Sequence, residues 1–88
     1  MKYTKYFGGI IKHNGIPNLS QESFQTMMNI VWLEGQLEGL LKAQKNIRQE
    51  EEKYRFDIIK FNVGKQLTEL TGNREPKDIM NDLVKQLN

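Results

Sequence analysis

Chemistry in this chain would have to start from very few side chains. His13 is the only histidine and there is no cysteine, which excludes disulfides, thiolate nucleophiles and imidazole or thiolate clusters around a metal. A Ser-His-Asp relay would have to join Ser20 or Ser23 to His13 and to an acid from another helix. The G-x-S-x-G turn that exposes a serine nucleophile is missing. Glu50, Glu51 and Glu52 are adjacent, so on a helix they fan around the axis and face solvent instead of converging on a metal or substrate. Gly8, Gly9 and Gly15 with Lys12 match neither phosphate-loop spacing. The expectation is a non-enzyme with no cofactor and no metal.

One looser constellation is left. Lys2, Lys5, Lys12 and His13 lie among Tyr3, Tyr6 and Phe7, in a segment that carries three lysines and no acid up to residue 18. Cations beside rings could hold an anion, a nucleotide or a nucleic acid strand, helped by the N-terminus of the helix that follows. The competing reading makes the rings packing anchors. Net charge is only +2, and residues 19–52 carry six acids against three bases. This is a basic head on a near-neutral body, without the dense basic stripe of an obligate nucleic-acid binder.

The elements that must position these groups read as helices. Over Phe24 to Ile47, Ile30, Leu33, Leu37, Leu40 and Ile47 recur at steps of three and four, with Gln44 in the polar slot, which makes one stripe of a helix. Met28, Trp32, Gly35, Gly39 and Ala43 form a second line on the other side. Each helical glycine costs about 0.8–1 kcal/mol relative to alanine, so two a turn apart suggest a place where another helix comes close. A bulky side chain at Gly39 is then expected to push such a pair apart. Both lines, Ile30, Leu33, Leu37 and Leu40 on one side and Met28 to Ala43 on the other, are the candidate interface.

Downstream, Tyr54, Ile58 and Phe61 continue the first stripe in heptad register. Phe56, Ile59, Val63, Leu67 and Leu70 form a second set. Two arrangements fit: one continuous coiled-coil-like helix, or a hairpin bending within 46–53, where Asn46 could close the first helix in the left-handed conformation. The hairpin is favoured because it lets both apolar halves cover each other within one subunit. Ser20 or Asn18 caps the first long helix. Gly72-Asn73 stops the second, and Pro76 opens a short helix with Ile79, Met80, Leu83, Val84 and Leu87 on one face. Gly8-Gly9, Asn14-Gly15 and Ile16-Pro17 break up the beginning, which reads as an extended, irregular arm.

The expected fold class is therefore all-α: an N-terminal arm over 1–19 and a helical domain over 20–88. It has two long helices and a short C-terminal one, assembled as an oligomeric helical bundle. A single domain is all that 88 residues allow, and so short a chain gains stability from a homo-oligomer. MMNIVWL is the longest near-continuous apolar run and FGGII is too short for a signal core, so no membrane partner and a cytoplasmic location are expected. A two-faced helix without a catalytic set points to a small interaction protein that inhibits or regulates a protein partner. Small accessory proteins of phages and mobile elements share that type. The alternative is a nucleotide or nucleic-acid binder acting through the arm.

Overall fold

The computed structural model describes residues 1–14 and 19–85, with the side chains of His13 and Asn14 outside the description. Four α-helices follow in order: α1 (Lys2–Gly9), α2 (Gln21–Gln44), α3 (Glu50–Thr71) and α4 (Pro76–Lys85). A π-helical turn, Ile10–Asn14, extends α1. The described residues contain no strand, so the all-α reading holds. None of their helices is long and apolar enough to cross a membrane.

The start of the chain departs from the expected irregular arm. Tyr3, Phe7 and Ile10 recur at four and three, a helical spacing, and the Gly8-Gly9 pair stays in the helix instead of ending it. Burial outweighs the glycine cost. Tyr3 and Phe7 are buried with Met27 and Ile30 of α2 and Ile79, Met80 and Leu83 of α4 in one core. The segment 10–12 is correspondingly helical, neither strand nor extended arm.

α2 opens at Ser20, whose hydroxyl accepts the Ser23 N–H at 3.1 Å; Asn18, the other candidate cap, lies outside the described residues. α2 ends in the right-handed region at Lys45. Asn46 and Ile47 donate to the carbonyls of Ala43 and Gln44 three residues back, so the helix closes by tightening. Asn46 is not left-handed: Gly72 and Asn73 are the only described residues with positive φ. The chain resumes at Gln49 in an extended conformation, and α3 packs back along α2. The particle measures 51 × 24 × 20 Å, whereas a continuous helix of about fifty residues would span ~75 Å. The continuous-helix alternative is thereby excluded for the single chain.

The turn also changes which face of α3 is used. Phe56, Val63, Leu67 and Leu70 are half-buried and form the side toward α2, with Leu67 and Leu70 reaching the core. Tyr54, Ile58 and Phe61 are exposed. The residues in heptad register with α2 are therefore not the ones packed against it, because the turn over 45–49 resets the phase.

α3 stops where expected. Gly72 takes φ 62° and its N–H donates to Thr68 O at 2.7 Å, a conformation that costs glycine little. Pro76 is the first residue of α4 and is buried. Ile79, Met80 and Leu83 enter the core, Val84 stays exposed, and Leu87 lies outside the described residues.

Candidate functional site

α2 separates its two lines of residues. Ile30 and Leu33 are buried, and Leu37 and Leu40 are half-buried. These four face inward, and Ile30 is part of the core. On the other side Met28, Gly35, Gly39 and Ala43 are exposed, and Trp32 leaves 62% of its surface in solvent. A Cβ built on Gly35 or Gly39 meets no atom within 4 Å. No described residue uses the close approach that the two glycines permit, and among the described residues the notch is open.

Two shallow depressions flank this face. One is lined by Asn29, Trp32 and Leu33 of α2 and by Gln66, Glu69 and Leu70 of α3. The next, further along, is lined by Gln36, Gly39, Leu40, Ile59 and Val63. The opposite groove between the same helices is an open depression bordered by Leu37 and Gln44 of α2 and by Lys60, Phe61 and Lys65 of α3, with one polar tie across it. Lys60 Nζ donates to Gln44 Oε1 at 3.2 Å and sits 3.8 Å from Asp57, which gives the polar slot in the α2 stripe its partner.

The residues with chemical potential are spread apart. Ser20 Oγ donates to Ser23 Oγ at 3.0 Å, and Ser23 Oγ donates to Leu83 O at 3.1 Å, so both hydroxyls serve the start of α2 and its junction with α4. Glu50, Glu51 and Glu52 sit exposed in the first turn of α3, where negative charge suits the helix dipole. Among the described residues no group of histidine and acidic side chains is arranged to hold a metal.

The basic, aromatic segment is divided as well. Tyr3 and Phe7 are buried, and Tyr6 packs edge-on against Phe7 with ring centroids 5.7 Å apart. Lys2 and Lys5 share a depression with Tyr6, but Glu75 lines it too and stands 3.5 Å from Lys2 Nζ. Lys12 is exposed on the π-helical turn, away from that lining. The His13 side chain lies outside the described residues.

One structural residue is passed over in the sequence reading. Glu34 is buried, and its carboxylate accepts Tyr3 N–H at 3.1 Å on one oxygen and Thr4 N–H at 2.7 Å on the other. These are orphan donors at the N-terminus of α1, so an acid from the middle of α2 caps a helix some thirty residues earlier. The signal was present: Ser23, Met27, Ile30 and Glu34 recur at four, three and four, and an acid in a buried line implies a dedicated partner. A second tie runs from Tyr3 Oη, which donates to Arg74 O at 2.7 Å.

What remains on this side of α2 is an exposed face with Met28, Trp32 and the two open glycines, flanked by shallow depressions. No protein-family profile, curated protein or solved structure matches the chain.

Proposed function

We propose that this protein is a non-catalytic interaction module that binds, and by occupying it regulates, another protein through the outward face of α2. The observation that supports this is Trp32: a tryptophan mostly in water, beside exposed Met28 and upstream of a notch left open by Gly35 and Gly39. Large exposed aromatics over a rigid base are the usual anchors of protein interfaces. Ile30 and Leu33 are buried on the inward side of the same turns, so the anchor is held without the cost of ordering a loop. A helix from the partner would lay its apolar side along Met28 and Trp32 and approach closely at the glycines. The module acts in the cytoplasm, in the manner of a small phage or mobile-element accessory protein.

The test is capture from cells with the tagged full chain, followed by titration of the identified partner against purified wild type and Trp32→Ala. Loss of an aromatic anchor weakens binding by at least ~2 kcal/mol, about thirtyfold. A partner held equally well by Trp32→Ala, with helicity unchanged in both proteins, would sink the reading.

A further inference from the structure

We propose that a second copy of this chain docks on the outer face of α3, which pairs with itself in antiparallel orientation about a two-fold axis through Ile58. This face is separate from the Trp32 surface and does not depend on it.

Tyr54, Ile58 and Phe61 are 70%, 45% and 69% exposed and recur at steps of four and three on the side of α3 opposite the half-buried Phe56, Val63, Leu67 and Leu70, with Phe61 and Lys65 also bordering the open groove beside Leu37 and Gln44 of α2. That is a seam of two heptads left without a partner in the monomer. Extending the same spacing by one step in each direction reaches Glu51 and Lys65, both exposed. The face therefore reads acid, aromatic, isoleucine, aromatic, base, with seven residues from Ile58 to each charge.

That pattern selects the occupant and the direction. In an antiparallel pair centred on Ile58, Glu51 of one copy falls opposite Lys65 of the other, twice over by symmetry. Tyr54 falls beside the partner's Phe61, and the two Ile58 side chains meet on the axis. A parallel pair would set Glu51 against Glu51 and Lys65 against Lys65. Antiparallel packing also aligns opposite helix dipoles. Asp57 lies beside the axis in both copies, but it already stands 3.8 Å from Lys60 in its own chain, which offsets the like charges. With about 150–250 Å² per aromatic side chain, of which Tyr54 and Phe61 expose 70% and 69%, the four rings alone would contribute roughly 400–700 Å². Standard interfaces bury about 1,200–2,000 Å², so the pair is a dissociable dimer whose population follows concentration.

Light scattering and sedimentation of the full chain over a wide concentration range provide the test. Mass should rise from 10.3 kDa toward twice that value. Ile58→Arg, which sets like charges on the axis, should stay monomeric throughout with unchanged helicity. Glu51→Lys and Lys65→Glu should each weaken the dimer roughly tenfold, and the double variant should restore it. A wild-type chain that stays monomeric at millimolar concentration overturns the proposal. So does a dimer indifferent to Ile58→Arg, which would lie on another face. Failure of the double variant to restore a dimer weakened by both single changes overturns the antiparallel register.

Discussion

The two ends of the α2–α3 hairpin are built by different rules. At the base, α2 is covered by α1 and α4 as well as by α3, and every buried apolar residue among the described ones lies there: Tyr3, Phe7, Met27, Ile30, Leu33, Pro76, Ile79, Met80 and Leu83. Beyond Leu37 only two helices remain. Across the far half no described residue between 35 and 70 is buried, while Leu41, Tyr54, Ile58, Ile59 and Phe61 are exposed. Two helices touching along one line cannot hide two apolar faces each; a third layer is needed. The base is a core, and the projecting half is a surface with a backbone inside it. Similar apolar content therefore means a buried core at one end and exposed side chains at the other.

The contrast breaks most visibly at Phe7, which is fully buried. Phe7→Ala should cost ~3–5 kcal/mol, whereas Phe61→Ala should leave the monomer within about 0.5 kcal/mol of wild type. Urea titrations of both below the dimerisation range would check this. Equal losses would mean that the projecting half carries a core of its own.

Glu34→Ala comes next. It removes the carboxylate that caps α1, and hydrogen bonds to charged groups contribute about 1.5–3 kcal/mol. Hydrogen exchange should then report opening of residues 2–10 ahead of the hairpin. Deleting α1 should likewise unfold the base instead of sparing it, since two core side chains leave with it.

Gly39→Leu sharpens the same boundary with a smaller effect of opposite sign. The Cβ enters open space, so in the monomer the substitution should stabilise by up to about 1 kcal/mol through helix propensity. It should at the same time weaken partner binding through the α2 face. A thermal melt that shows destabilisation of the dilute monomer would contradict the open notch.

The smallest effect is electrostatic. The Arg74 guanidinium hydrogen-bonds the Asp82 carboxylate and, with the charge of Lys85 nearby, holds it below the usual carboxylate range against the opposing effect of desolvation. A carboxyl lowered in the folded state contributes stability above its unfolded value of about 3.9 that is lost as pH falls through the folded value. Wild type should therefore lose slightly more thermal stability than Asp82→Asn on going from pH 6 to pH 3, and salt should erase the difference.

Much of this architecture is legible locally. Ser20, Gly72-Asn73 and Pro76 mark three helix ends because caps and stops depend on residues within a turn of them. α1 is harder to read because Gly8-Gly9 suggests a break, and only burial of Tyr3 and Phe7 by helices far along the chain overrules it. The phase of α3 is harder still. Two apolar stripes compete for α2, and the geometry of residues 45–49 decides between them, not the strength of either pattern. On the outward face of α2, Trp32 and the glycines mark themselves by type and spacing. Glu34 needs its tertiary partner before its role is visible.

The ties at the base also set an order of events. Tyr3 reaches Arg74 across 71 positions and Ser23 reaches Leu83 across 60, while α2 meets α3 across one short turn. Closing long loops costs more entropy than closing short ones, so the hairpin can zip first and serve as the template on which the core is completed. Tyr3 and Phe7 have no finished pocket until Ile79, Met80 and Leu83 arrive. During synthesis the first helix must wait for the last one, and the apolar side of α2 stays open to other molecules until then.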